Sequence, residues 1–156
     1  MQVCAYKEAR CLDGDCRGQD SMTLIAILVL AMAQSAAPRV TTVAQGAYSG
    51  ITDASEVVVR SPTEWDALWK AHAGLQSIPT VDFSQEFVAA VFLGTRPSGG
   101  FGAEIVGTRR EAAALVIEYR ERAPAASDIV TQALTSPFHI VRVLRFDGPI
   151  RFRKIK

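Results

Sequence analysis

The chain has 156 residues, of which 49% are hydrophobic and 21% charged, and its formal net charge is +1. That length is one domain's worth, and the composition excludes wholesale disorder and collagen-like or repeat fibres. A net charge so near zero gives no bulk basic character for nucleic acid and no acidic tail.

The three cysteines, Cys4, Cys11 and Cys16, all lie at the front of the chain. Three thiolates with no nearby histidine fall short of the four close-spaced ligands of a structural zinc site. Leu24 to Ala33 (LIAILVLAMA) is apolar without a break. A membrane-spanning helix needs about 20 such residues, so this run has the length of a signal-peptide core instead. Ala31-Met32-Ala33 fits the small-x-small cleavage rule, and Ala33-Gln34-Ser35 is a second candidate. Met22 stands just ahead of the apolar run, and residues 1–21 show no strand or helix pattern. We therefore read 1–21 as an upstream extension and 22–33 as a signal peptide. From Met22 the segment has no Lys or Arg before the apolar run; from Met1 it has Lys7, Arg10 and Arg17 against Glu8, Asp13, Asp15 and Asp20. The competing reading, a core helix apolar on every side, needs burial all round, which a small domain hardly provides.

Residues 34–52 are small and polar, with Pro38, Gly46 and Gly50, and read as a flexible linker or arm before a domain at 53–156. Glu56 to Arg60 (EVVVR) is a β-branched run and predicts a strand. Ser61-Pro62 with Glu64 three residues on is a capping-box start with proline in the first turn. Trp65, Leu68, Trp69 and His72 then fall on one helical face, and Gly74 ends the helix. Those tryptophans read as core, and His72 as covering the core edge at the favourable end of the helix dipole.

Phe87 to Leu93 (FVAAVFL) is apolar throughout, the pattern of a central strand buried on both faces. Phe101 to Thr108 and Ala113 to Arg120 predict two more strands, with a turn at Gly107 to Glu111. Ile129 to Leu134 reads as a strand broken by Ser136-Pro137, and Phe138 to Phe146 as the last long strand. Asp147-Gly148 is a hairpin signal, after which Ile150 to Ile155 returns as a short basic edge strand. The sum is an α+β domain: a mostly antiparallel sheet of six or seven strands with one amphipathic helix packed on it.

Chemistry-bearing patterns are scarce. There is no H-E-x-x-H, C-x-x-C or G-x-S-x-G. Asp82, Glu86, Asp128 and Asp147 are scattered, and His72 and His139 are the only histidines. A triad of His139, a serine such as Ser136 and an aspartate rests on geometry that spacing does not reveal. No catalytic residue, metal site or cofactor is assigned. Gly94-x4-Gly99 has P-loop glycine spacing, but Gly100 and Phe101 stand where Lys and Ser/Thr belong, and Pro97 removes an N–H. The candidate partner-binding residues are Arg96, Pro97, Ser98, Gly99, Gly100 and Phe101. Proline and paired glycines there predict a stiff hairpin tip with Arg96 in water, serving either as a turn that returns Phe101 to the core or as a preformed binding loop.

EWDALW, then VDFSQEFVAAVFLGTRPSGGF, then LTSPFHIVRV, together spanning much of residues 53–146, resemble the PrcB C-terminal domain family, named for a protease complex subunit. Ser98 stands for the family's usual Thr and Phe101 for its usual Tyr. The resemblance implies an extracytoplasmic protein, secreted or in the cell envelope, that associates with a secreted protease and stabilises or matures it. It carries over no catalytic residue. Neither nucleic acid nor a stable membrane span is expected. Direct protease inhibition through the 94–101 loop is an alternative, as is a small-molecule-binding or hydrolytic pocket near His72 or His139.

Overall fold

The computed structural model describes residues 39–156. The upstream extension, the signal peptide and the start of the linker lie outside the described residues. In chain order the elements are β1 (Val40–Gly46), β2 (Ala54–Val59), α1 (Pro62–Ala73), β3 (Glu86–Leu93), β4 (Gly102–Glu111), β5 (Ala114–Arg122), β6 (Phe138–Leu144) and β7 (Ile150–Ile155). They build the α+β fold read from the sequence, but as two sheets. The first has the order β1-β6-β3-β2 and is antiparallel throughout. The second is β4-β5-β7.

β3 explains the layering. Its apolar run alternates between two interiors. Val88, Ala90 and Phe92 meet Trp65 and Trp69 of the helix and Phe138 and Ile140 of β6. Phe87, Ala89, Val91 and Leu93 meet Ala103, Ile105, Leu115 and Ile117 of the second sheet. The first sheet is therefore the middle layer between the helix and the second sheet. Each large apolar side chain buried there contributes about 1.5–3 kcal/mol.

The helix starts as its capping box dictates. Ser61 Oγ accepts from Glu64 N–H at 3.3 Å, and Glu64 Oε2 accepts from Ser61 N–H at 3.2 Å. Both indole N–H groups find carbonyls in the following loop, Trp65 on Pro79 at 2.9 Å and Trp69 on Gln76 at 3.2 Å. No helix among the described residues is long and apolar enough to cross a membrane.

The outer face of the second sheet is charged. Arg109 pairs with Glu118, and Arg153 forks onto Glu111 at 2.6 and 2.7 Å. This is the polar-out alternation of a sheet with one solvated face.

Four expectations fail, each for a physical reason. Residues 40–46, expected in a linker, form β1 on β6. A bulge between Thr42 and Ala44 shifts its register, so Val40 faces one core and Val43 and Ala44 the other, and no period of two is left to read. Ile129 to Leu134 is not a strand: Ile129 and Leu134 stay exposed, and the nearest ladder contact is an isolated bridge just beyond it, Arg96 with Thr135. The Gly107 to Glu111 turn is strand instead. A bulge between Ile105 and Gly107 absorbs the glycine, and the chain reverses at Ala112-Ala113, with Ala112 at φ +51°. Finally, Asp147-Gly148 does not return β7 onto β6. β7 crosses to the second sheet and pairs parallel with β5, because Ile150 and Phe152 pack on the inter-sheet core.

Candidate functional site

Two loops meet at one end of the layers. Residues 94–101 connect β3 to β4, and residues 123–137 connect β5 to β6. Their backbones are fastened together. Arg96 N–H donates to Thr135 O at 2.7 Å and Thr135 N–H to Arg96 O at 3.0 Å. Gly99 N–H donates to Thr131 O at 2.9 Å, and Thr135 Oγ1 to Ser98 O at 2.8 Å. The glycine pair is what permits this approach. A Cβ on Gly99 would lie 2.4 Å from Thr131 Oγ1. Gly100 sits at φ +85°, and its Cβ would lie 2.9 Å from Pro124 and 3.0 Å from Val130. A side chain at either position would force its neighbour on the other loop to shift, and at Gly100 it would also be held at a positive φ.

The 94–101 segment is thus not a free hairpin tip. Arg96, expected in water, turns inward: its guanidinium pairs with Glu121 at 2.8 Å, with 27% of the side chain exposed. The Phe101 ring centroid lies 5.8 Å from the guanidinium carbon, within cation–π range. Glu121 also accepts from Lys154, and these two bonds, Lys154's first, hold its carboxyl below the usual range against the opposing cost of burial. Ser98 Oγ bonds the Gly99 carbonyl at 3.1 Å, Gly99 and Gly100 are half-buried, and Pro97 is exposed. The six residues picked from the sequence do lie together, but most face the neighbouring loop rather than solvent.

What the platform shows to solvent comes from its other half. Ile129 is fully exposed and Leu134 is 69% exposed. The sequence reading assigned both to a strand and so missed them as surface. The available signal was Pro124 and Ser136-Pro137 bracketing the stretch, which leaves little room for a ladder.

A groove of about 320 Å³ opens beside Arg96, between the start of β2 and the end of β5. Tyr119 lines it and is hydrogen-bonded to Glu56; burial and that bond push its phenol up to about 12. A second cleft, about 260 Å³, lies on the other side of Phe101, against Gln45 and Arg122.

Both histidines are interior. His72 is packed edge-on against Phe138, ring centroids 4.1 Å apart, and its Nδ1 is 2.8 Å from Ser49 Oγ. His139 lies between the sheets. Its Nδ1 accepts from Ile105 N–H at 2.7 Å, and its Nε2 is 3.0 Å from Thr42 Oγ1. Accepting at Nδ1 fixes the proton on Nε2, which donates to Thr42. Burial lowers both imidazoles below their ordinary value, and the Glu104 charge partly opposes this at His139. Ser136 is not a bonded partner of His139; its N–H donates to Ala47 O at 2.8 Å. No group of three or more His, Cys, Asp or Glu among the described residues is arranged to hold a metal ion.

No curated protein and no solved structure matches the chain. The family model described as PrcB C-terminal matches residues 87–143. That span holds nearly all of β3 and of β6, both platform loops, β4 and β5, and over it the chain is similar to the PrcB C-terminal family.

Proposed function

We propose that the protein is a secreted or envelope-located, non-enzymatic binding module, an accessory subunit that associates with an extracytoplasmic protease and stabilises or matures it. The observation that carries this reading is the platform itself: a backbone held by cross-loop hydrogen bonds that leaves Ile129 and Leu134 in water. Exposed apolar groups on a rigid frame lose little entropy when a partner covers them. The family name, a protease complex subunit, supplies the class of partner. The apolar run at 24–33 supplies the route out of the cytoplasm. Association is preferred to plugging of an active-site cleft, because the 94–101 loop is braced inward through Arg96 and Glu121 and projects mainly Pro97.

The test is capture from the secreted and envelope fractions with the purified protein as bait. Wild type is expected to retain a protease, and the I129D/L134D double variant to lose it at unchanged thermal stability. Capture unaffected by the double variant removes the platform from the binding surface.

A further inference from the structure

The two sheets end in four edge strands, and three of them are guarded. β1 is bulged, and its Gln45 side chain donates to Ala103 O of β4 at 2.7 Å. β4 is bulged between Ile105 and Gly107. β7 carries Arg151, Arg153 and Lys154. Bulges, cross-ties and cationic side chains are the usual protection against edge-to-edge pairing. β2 has neither a bulge nor a cationic side chain within the strand, and its one cross-tie, Glu56 to Tyr119 of β5, leaves its backbone edge unpaired. It pairs with β3 in unbroken register, contains no proline, and runs Glu56-Val57-Val58-Val59. Among the described residues no strand pairs with its other side.

We propose that this edge is a homodimer interface, in which β2 of a second copy pairs antiparallel across a two-fold axis at Val58. The choice of occupant follows from charge. Glu56 and Arg60 are both exposed and lie two residues either side of Val58. An antiparallel self-pairing centred on Val58 sets Glu56 opposite Arg60 of the second copy, and the two-fold axis repeats that contact. Val57 then faces Val59 of the other copy, a β-branched pair suited to a ladder. A strand of foreign sequence has no such built-in match. The pairing joins the two four-stranded sheets into one of eight, and it rests on β2 alone, independently of the reading of the loop platform.

Sedimentation velocity from low micromolar to submillimolar concentration tests it. Wild type is expected to shift from the chain mass toward twice that mass. Glu56→Arg and Arg60→Glu each place like charges opposite one another twice, and each is expected to weaken the dimer about tenfold. The double variant E56R/R60E restores the pairs with the signs exchanged and regains the dimer. Glu56 also bonds Tyr119, and Arg60 also donates to Gly148 O at 3.0 Å, so thermal melts of each variant accompany the masses. A variant that has lost its fold is replaced by hydrogen exchange on wild type: amides of 56–60 slow with rising concentration if the edge pairs. A wild-type protein monomeric throughout overturns the proposal, as do single variants that dimerise like wild type and exchange at 56–60 that ignores concentration.

Discussion

The helix side and the loop end of this domain are both tightly held, but they spend their apolar side chains differently. Under α1, Trp65 and Trp69 are 4% and 6% exposed, their indole N–H groups are bonded, and their rings lie on Phe92, Phe138 and Ile140. At the loop end the backbones of 94–101 and 123–137 are bonded to each other, yet Ile129 and Leu134 stand in solvent. Order serves the core in the first region. In the second it holds a frame, with Thr135 buried at its base, from which Ile129 and Leu134 project.

Substitutions should separate the two regions. The largest expected effect is on the helix side: Trp69→Ala should cost about 3–5 kcal/mol in denaturant unfolding. His139→Ala comes next, at about 2–3 kcal/mol, because it leaves the Ile105 N–H buried without its acceptor. At the loop end Gly100→Val should cost about 1–3 kcal/mol by forcing a β-branched residue to positive φ against Pro124 and Val130. It should also reduce partner capture, since it unseats the frame beneath Ile129. I129D/L134D should change stability by no more than about 0.5 kcal/mol while removing capture. A similar small effect of opposite sign is expected at the β4–β5 turn: Ala112→Gly relieves φ +51° and should stabilise by about 0.5 kcal/mol.

Acid should act on the interior and leave the platform to follow. Both histidines are held neutral by burial, so their folded values lie below 6.5 while the unfolded chain takes up protons near it. Between those values the unfolded state binds more protons, and stability falls as pH drops. The stability these two rings provide is thus complete above about 6.5 and is lost progressively below it. Thermal melts at stepped pH should show this decline, and His139→Gln should flatten it. A wild-type melt unchanged down to about pH 5 contradicts the neutral assignment.

Much of this was legible in the sequence, and the misses have a common origin. The capping box at Ser61, the Trp65/Trp69 face and the doubly buried β3 are local patterns with one physical meaning each, and all three hold. What failed depended on distant partners. β1 hid behind a bulge that breaks its alternation, and β7 looked like a hairpin return until its parallel register with β5 was known. The candidate loop was found from its glycines, but the reason for them lies some thirty residues away, in Thr131 and Val130. Ile129 and Leu134 read as strand because apolar residues usually have somewhere to go; here they do not.

Photo-crosslinking tests the central claim most directly. Leu75, just past the helix, is as exposed as Ile129, so exposure alone does not distinguish the two positions. A photoreactive residue at 129 should yield a covalent adduct with an extracytoplasmic protease, while the same residue at 75 should yield none. Equal labelling at both positions, or an adduct only at 75, contradicts the platform as the binding surface.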